Sequence, residues 1–190
     1  MRKLVLQMHT SVEGFVARLD GKNDWLTDAD DELKSYESEI VNAADTLLMG
    51  RKMTDEFVSY WTKVTENPDS PDYAFTRKMV DIPKVVFTKT LDQSPWSNTV
   101  LAKGDLVEEV NSRKNQPGKD ILVYGGGSFV ASLIKHRLID EYNFFVNPVA
   151  LGERMAIFNS LEDKFNLQLV KTRGFDCGIA LPRYELRGNG

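Results

Sequence analysis

The 190-residue sequence contains one cysteine, Cys177, and two histidines, His9 and His136. A single cysteine cannot form a disulfide within the chain, and these few residues cannot build a cysteine cluster or a multi-histidine metal site. We therefore expect no bound metal, and we expect the protein to work in a reducing compartment, the cytoplasm. Cys177 lies in the turn-like stretch RGFDCGIAL, with no histidine nearby in the sequence, which favours a small structural residue over a nucleophile.

Long apolar runs and an excess of positive charge are also missing. The chain has 24 Lys and Arg against 28 Asp and Glu, a formal net charge of −4, whereas a nucleic-acid-binding face needs clustered positive charge. No apolar stretch approaches the ~20 residues that a membrane helix needs, and the opening MRKLVLQMHTSVEGF does not have the pattern of a signal peptide. We expect one globular domain over residues 1–190, with neither nucleic-acid nor membrane partners.

What the sequence does contain is an alternation of apolar strands and amphipathic helices. Strands are predicted at 4–9, 46–50, 84–88 and 121–124, and helices at 28–44, 54–61, 105–114 and 128–138. The polar stretch 65–73, which contains two prolines, is predicted to be a loop. Near the C-terminus, strands are predicted within 142–151, 165–175 and 179–186. The alternation predicts parallel strands joined by helices, and the strand-rich tail predicts antiparallel additions at one edge. The expected fold is a three-layer α/β domain with a mixed, mostly parallel sheet.

Three consecutive glycines, Gly125, Gly126 and Gly127, separate the strand ILVY from an apolar helix. One glycine would serve a tight turn, so three indicate contact with a ligand. Ser128 is a good residue to cap the helix, whose first N–H groups could bind a pyrophosphate that approaches closely where side chains are absent. The run does not match the G-x-G-x-x-G fingerprint, and no Gly-Lys-Ser/Thr follows it, which excludes a P-loop.

Two other predicted strands end in residues suited to an anion. Gly50 is followed by Arg51 and Lys52, and the predicted strand KVVFT ends in Thr88, with Lys89 next. The carboxyl ends of parallel strands meet at one edge of a sheet, where open α/β folds bind ligands. In an acidic protein, this local set of cations beside glycines predicts an anionic ligand.

These motifs, in this order, resemble the dihydrofolate reductase-like superfamily, and most of all its riboflavin-biosynthesis reductase branch (the RibD C-terminal domain) and the stand-alone bacterial relatives. LLMGRK resembles the strand-Gly-Arg junction of that family, ILVYGGGSFVASL its glycine-rich turn, FFVNPVALGE the next strand and loop, and TSVEGFVARLDGKNDWLT its S-x-D-G…D-G…W segment. The likeness runs from Leu4 to about Leu186. Two positions depart from the pattern: Met53 stands where threonine is common, with Thr54 following it, and Glu13 replaces the aspartate.

The resemblance implies that NADPH binds along the strand ends. The glycine-rich turn and the helix after it would hold the pyrophosphate through Gly125, Gly126, Gly127, Ser128, Phe129 and Val130. Gly50, Arg51 and Lys52 would take the phosphates from the opposite side. Thr88 and Lys89 would flank the adenosine end with its 2′-phosphate. A hydrogen bond to a charged group is worth about 1.5–3 kcal/mol, so we expect NADPH to bind about tenfold to a hundredfold more tightly than NADH.

The resemblance also implies hydride transfer to a heterocyclic acceptor. In dihydrofolate reductases a carboxylate at the start of the first helix binds the heterocycle. Asp30 is the closest match and the first candidate for a catalytic residue, with Asp28 and Asp31 as alternatives, although acidic residues at a helix start also serve the helix dipole. Glu13 is a second catalytic candidate. Trp25, with Asp30, is a candidate for substrate binding.

Three alternatives for the activity stay open. The acceptor is either 5-amino-6-(5-phosphoribosylamino)uracil, the ribosylaminopyrimidine of riboflavin synthesis, or dihydrofolate or another pterin. The third alternative is a protein that binds NADPH without catalysis. The resemblance further suggests a homodimer, with the apolar C-terminal strands as candidates for its interface.

Overall fold

The structure is a computed structural model, and it describes residues 1–152, 154–164 and 166–187. Within these ranges the strands are β1 (Leu4–Thr10), β2 (Phe15–Ala17), β3 (Ala44–Gly50), β4 (Lys84–Phe87), β5 (Thr99–Ala102), β6 (Asp120–Tyr124), β7 (Glu141–Val146), β8 (Met155–Ala156), β9 (Leu167–Gly174) and β10 (Ala180–Leu186). The helices are α1 (Asp31–Ala43), α2 (Arg51–Val64), α3 (Tyr73–Asp81), α4 (Leu106–Lys114) and α5 (Gly127–Lys135).

Eight of the strands form one sheet in the order β5-β4-β3-β6-β1-β7-β10-β9. The six strands from β5 to β7 in this order are parallel to one another, whereas β10 is antiparallel to both β7 and β9. The short strands β2 and β8 pair separately with each other. The prediction of a mixed, mostly parallel sheet with antiparallel C-terminal strands is therefore confirmed.

Helices cover both faces of the sheet because the central strands are apolar on both sides. On one face α1, α2 and α3 bury Val41, Trp61 and Met79 against the strands. On the other face α4 and α5 bury Val110 and Leu133. Strand β1 contributes alternate residues to the two cores, which produces the predicted three-layer arrangement.

One helix packed on the main sheet and one strand of that sheet were not predicted from the sequence. Residues 73–81 form α3, although the predicted loop extended to residue 73 and no helix was expected after it. Its buried residues are Thr76 and Met79 at a spacing of three, a stripe too short to stand out from the polar residues around it. The edge strand β5 was also missed, since Val100 is 62% exposed and the strand has only four residues.

Helix boundaries were predicted less accurately than strand cores. The first helix begins at Asp31, not at residue 28, because Asp30 takes an extended conformation and caps it. The last helix begins at Gly127 and ends at Lys135, and Arg137 has a left-handed φ of 54°, so the expected extension to residue 138 was wrong. Among the described residues, every helix is too short or too polar to cross a bilayer.

The register of the parallel strands brings their carboxyl ends together. Gly50 of β3 pairs with Phe87 of β4, and Gln7 of β1 pairs with Tyr124 of β6. The segments that leave these strands therefore start side by side at one edge of the sheet, which is where the sequence predicted a ligand site.

Candidate functional site

A cavity of about 690 Å³ opens at the carboxyl edge of the parallel strands. It is lined by the ends of β1, β3, β4 and β6, by the starts of α2 and α5, and by parts of β2, β8 and the loop after β2. Most of the sequence-predicted cofactor residues line it: Gly50, Arg51, Lys52, Thr88, Lys89, Gly125, Gly126, Gly127, Ser128 and Phe129. A cavity of this size is typical of sites for small molecules and cofactors.

The glycines at two strand ends let backbone segments approach each other closely. Gly125 and Gly126 have φ values of 83° and 86°, in the left-handed region that disfavours other residues. A Cβ atom on Gly125 would overlap the ring of Phe57, and one on Gly50 would lie 2.7 Å from Cβ of Phe129. The glycines are therefore needed both for the turn itself and for the contact between the starts of α2 and α5.

Two helix N-termini line this cavity without side-chain caps. The N-cap residues of α2 and α5 are Gly50 and Gly126, and neither has a side chain that could cap. By contrast, Asp30 and Asp105 cap α1 and α4 with their carboxylates. The predicted role of Ser128 as a cap was wrong, because the helix starts one residue earlier than expected. The first N–H groups of α2 and α5 have no acceptor within their helices, and they suit an anion.

The cations at the cavity fall into two kinds. Arg51 and Lys52 are exposed, and no carboxylate among the described residues forms an ion pair with them. They occupy the first turn of α2, where the helix dipole disfavours positive charge. Lys89 is already engaged, since its Nζ donates to the carbonyls of Lys103 at 2.8 Å and Gly104 at 3.0 Å.

Two other residues predicted to contact the cofactor, Thr88 and Val130, make contacts that stabilise the fold. Thr88 is 6% exposed, and its hydroxyl oxygen accepts from the backbone N–H groups of Thr90 and Leu91, which shapes the turn after β4. Val130 is fully buried in the core, and its N–H donates to the carbonyl of Gly126. Val130 does not line the cavity, so its prediction as a cofactor residue is not supported by its position.

Asp30, the first catalytic candidate, lies away from the cavity lining. One of its carboxylate oxygens accepts from the N–H of Leu33 at 2.8 Å, and the other accepts from the N–H of Cys177 at 2.9 Å. These hydrogen bonds, that of Leu33 first, lower the pKa of Asp30. The carboxylate caps α1 and anchors the turn before β10. The alternatives Asp28 and Asp31 are exposed and also lie outside the lining.

Glu13 and Trp25 lie outside the lining as well. The Glu13 carboxylate accepts from the N–H groups of Leu151 and Gly152, both at 3.0 Å. The hydroxyl of Ser11 and the N–H of Gly152 lower the pKa of Glu13. The indole N–H of Trp25 is buried and has no partner in the part of the chain that the structure describes.

A polar cluster that the sequence reasoning missed lies at the β1 side of the cavity. Oε1 of Glu37 is 2.9 Å from Nε2 of His9 and accepts from Nε2 of Gln7 at 3.2 Å. Gln7 and His9 line the cavity, and Glu37 lies behind them on α1. One signal was available in the sequence: Glu37 lies four residues from the buried Leu33 and four from the buried Val41, which puts a charge on the apolar face of a helix.

The remaining lining is apolar. Three methionines lie in it, Met8, Met53 and Met155, together with side chains such as Phe57 and Phe129. Methionine and aromatic side chains pack well against flat rings. Within the described ranges, no group of three His, Cys, Asp or Glu residues could hold a metal ion.

The sequence profile of one family, described as the RibD C-terminal domain, matches residues 2–181. The uncharacterized protein YyaP of Bacillus subtilis (strain 168) is 31% identical over 188 residues, which are 98% of this chain and 96% of YyaP. A second uncharacterized protein of that strain, YwjB, is 28% identical over 180 residues, with 95% of this chain and 96% of YwjB covered.

Solved structures share the fold. A protein from Shewanella sp. PV-4, provisionally assigned to riboflavin biosynthesis, superposes with a TM-score of 0.75 at 25% identity, covering 98% of this chain and 99% of that one. The Thermotoga maritima diaminohydroxyphosphoribosylaminopyrimidine deaminase/5-amino-6-(5-phosphoribosylamino)uracil reductase superposes with a TM-score of 0.69 at 16% identity, covering 98% of this chain and 57% of that protein. From the profile match and the near full-length identity with YyaP, the chain belongs to the RibD C-terminal domain family.

Proposed function

We propose that this protein is an NADPH-dependent reductase that acts on a small heterocyclic acceptor. The observation that carries the proposal is that the uncapped starts of α2 and α5 line one cavity beside Arg51 and Lys52, two cations for which the described residues supply no ion-pair partner. A dinucleotide diphosphate needs both N–H donors and positive charge. Membership of a family whose solved relatives include a named reductase supports the reaction type.

The residues present fit the cofactor at three places. The start of α5, from Gly126 to Phe129, would hold the diphosphate through its N–H groups. Arg51 and Lys52 would neutralise phosphate charge from the start of α2. Lys89 still has one of its three ammonium protons after its two carbonyl bonds, so it remains suited to the adenosine end. Thr88 lies beside it in the cavity lining. When bound, NADPH supplies the hydride, and the acceptor gains this hydride and one proton.

Two acceptor classes follow from different observations. A ribosylaminopyrimidine is supported by relatives named for riboflavin biosynthesis and for uracil reduction. A pterin is supported by Glu37, which brings a carboxylate of the first helix to the cavity wall, although dihydrofolate reductases use a carboxylate at the start of that helix for their heterocycle. We propose Glu37, in place of Asp30 or Glu13, as the carboxylate that serves the acceptor, because it contacts Gln7 and His9 in the cavity lining.

To test the cofactor, the protein is titrated with NADPH or with NADH, and the change in tryptophan fluorescence gives the affinity for each nucleotide. We expect NADPH to bind at least about tenfold more tightly than NADH. The loss of NADPH absorbance on adding a ribosylaminopyrimidine or a dihydropterin then tests catalysis. Tight NADPH binding with no oxidation by either acceptor would favour the non-catalytic alternative, and equal affinity for the two nucleotides would refute the cofactor proposal.

We also propose that the protein forms a homodimer and that it works in the cytoplasm. The compartment is inferred from the lone Cys177. Strand β9 is an edge strand on which Leu169 and Val170 are 53% and 46% exposed, and an exposed apolar edge favours association. Sedimentation equilibrium should give twice the chain mass, and the substitution Leu169→Glu should reduce it to that of the monomer; a monomeric parent protein would refute this part.

A further inference from the structure

The side chain of Asn147, directly after β7, is fully buried, and both ends of its amide are hydrogen-bonded. Its Oδ1 atom accepts from the N–H of Thr27 at 2.9 Å, and its Nδ2 atom donates to the carbonyls of Phe145 at 3.0 Å and Thr10 at 3.3 Å. An N–H needs an acceptor and a carbonyl needs a donor, so these three backbone groups leave the amide one orientation. The opposite orientation would place like groups against each other at all three contacts.

The orientation of Asn147 determines which nitrogen of His9 carries the proton. Nδ2 of Asn147 lies 3.2 Å from Nδ1 of His9. Because Nδ2 is a donor, Nδ1 must accept, and the proton of the neutral imidazole is therefore on Nε2. Nε2 lies 2.9 Å from Oε1 of Glu37, which accepts this proton in a hydrogen bond. The ring is held as one neutral tautomer, between a donor and an acceptor.

The same amide holds the loop that follows β2, residues 18–27. Gly21, Asn23 and Leu26 of this loop line the cavity. Among the described residues, the hydrogen bonds and ion pairs of residues 18–26 join one part of the loop to another. The hydrogen bond from Thr27 to Asn147 therefore ties the loop to the body of the fold.

A second proton on His9 does not fit this arrangement. Histidine side chains commonly gain their second proton between about pH 8 and pH 5. The new proton on Nδ1 of His9 would face the N–H of Asn147, so the amide must turn its oxygen toward the ring. Thr27 then loses its acceptor, and the carbonyl of Phe145 loses its donor. Protonation of His9 therefore breaks the bond that holds the loop.

The other groups around the His9 ring do not remove this conflict. From α1 the ring faces the carboxylate of Glu37, and from β7 it stacks on Phe145, with the ring centroids 5.0 Å apart. From β6, Tyr124 lies near Glu37, and burial, followed by the charges of Glu37 and Tyr60, raises the pKa of its phenol, which stays neutral. The carboxylate thus favours the charged ring, whereas the amide on the other side admits only the neutral ring.

We infer that Asn147 is a positioning residue that ties the loop of residues 18–27 to the fold only while His9 is neutral. Protonation of His9 releases the loop, and the cavity then loses the part of its wall that Gly21, Asn23 and Leu26 form. Closure of the cavity is thereby sensitive to pH. The inference goes beyond the proposed function, because the coupling needs no bound ligand.

The tautomer of His9 is the first test. The chain has two histidines, so comparison of the parent protein with His136→Gln, at an exposed position, assigns the ring ¹⁵N signals in the NMR spectrum. At about pH 8 we expect the proton of His9 on Nε2 and none on Nδ1. A proton on Nδ1 at this pH would overturn the inference.

Hydrogen exchange at the amide of Thr27 tests the coupling. After correction for the intrinsic pH dependence of exchange, its protection in the parent protein should fall at least about tenfold between about pH 8 and pH 5. In His9→Phe, which keeps a ring against Phe145 and cannot be protonated, the protection should stay within about twofold.

The amide of Asn115, which donates to the carbonyl of Asn111 at the end of α4, is the control, and its protection should not change in either protein. Protection of Thr27 that does not depend on pH, an equal loss at Asn115, or the same loss in His9→Phe would overturn the inference.

Discussion

The Oε1 atom of Glu37 lies 2.9 Å from Nε2 of His9 and is also within hydrogen-bond distance of Gln7, so a carboxylate on α1 holds two side chains at the end of β1. The Glu37 side chain is only 16% exposed. Removing a carboxylate from water is costly unless hydrogen bonds replace its hydration. Two donors at this position compensate for the burial and place a negative charge next to the apolar cavity.

The first prediction concerns the charge of Glu37. The substitution Glu37→Gln keeps the size of the side chain but removes its charge, and it replaces one carboxylate oxygen with an NH2 group that cannot accept from Gln7 or His9. We expect kcat/KM for the acceptor to fall by about tenfold or more, with the Kd for NADPH within about twofold of the parent value. Steady-state kinetics and nucleotide titration measure the two effects.

Glu39→Gln is the matched control, since Glu39 is exposed on the same helix. It should change neither constant. Equal kcat/KM in Glu37→Gln and Glu39→Gln would remove Glu37 from the acceptor site.

The second prediction concerns the close approach of α2 and α5. A methyl group on Gly50 would lie 2.7 Å from Cβ of Phe129, an atom that cannot rotate away, so Gly50→Ala must push the two helix starts apart. We expect at least about tenfold weaker NADPH binding and a loss of about 1–3 kcal/mol in the free energy of unfolding. Gly174→Ala is the control, because a Cβ atom there would meet nothing within 4 Å. Denaturant unfolding and NADPH titration of both variants provide the measurement, and a Gly50→Ala protein that binds like the control would contradict the proposed geometry.

The third prediction separates binding from stability at Arg51. Positive charge at the first turn of a helix is unfavourable, so Arg51→Ala should leave the thermal midpoint unchanged or slightly higher. NADPH affinity should nevertheless fall by about tenfold, and the affinity should depend less on salt concentration than in the parent protein. Lys63→Ala, in the last turn of the same helix, should leave the nucleotide affinity unchanged. Arg51 has no role in nucleotide binding if the two variants have the same NADPH affinity.

The fourth prediction concerns Asp30 as a structural cap. Asp30→Ala removes the acceptor for the N–H groups of Leu33 and Cys177, so we expect the melting temperature to fall by about 2–4 °C or more. NADPH affinity and turnover should be retained at a temperature where the variant is folded. Asp28→Ala, at an exposed position without a cap role, should melt like the parent protein. A folded Asp30→Ala variant without turnover would restore Asp30 as a catalytic residue.

The fifth prediction concerns pH and the buried amine of Lys84. Lys84 is 1% exposed and donates to the carbonyls of Val80 and Ile82 at 2.7 and 2.9 Å. Burial lowers its pKa to about 8. Between this pH and the ordinary value of 10.5 the unfolded chain binds more protons at Lys84 than the folded chain does, so raising the pH stabilises the fold.

The test compares the parent protein with Lys84→Met, which keeps the apolar stem and does not titrate. The difference in unfolding free energy between them should increase in favour of the parent, by up to about 3 kcal/mol, as the pH rises from about 8 to 10.5. Urea unfolding at several pH values measures this difference. A difference that stays constant over this range would show that the carbonyls of Val80 and Ile82 keep the amine charged.

The sequence predicted the sheet and the glycines and cations that meet at its carboxyl edge because both depend on local patterns. Apolar runs define β3 and β6, and the glycines and Arg51 follow them directly in the chain. The cluster of Glu37, His9 and Gln7 could not be predicted in this way. It depends on the contact of Glu37 with residues about thirty positions earlier, and it needs the register that puts Gln7 beside Tyr124.

Asp30 shows why helix-start carboxylates are ambiguous in a sequence. The same residue type serves a ligand or a backbone N–H group, and the direction of its side chain decides between them. Here the tertiary contact with Cys177, 147 residues away, engages the second carboxylate oxygen. The residue in the family-like position therefore stabilises the fold, and the carboxylate near the cavity lies seven residues further along.

The most direct test of the central claim is a crystal structure of the protein with NADPH. We expect the diphosphate at the start of α5, within hydrogen-bond distance of backbone N–H groups between Gly127 and Phe129, and phosphate oxygens near the guanidinium of Arg51. Diphosphate density elsewhere on the protein, or crystals that exclude NADPH at concentrations far above that of the protein, would contradict it.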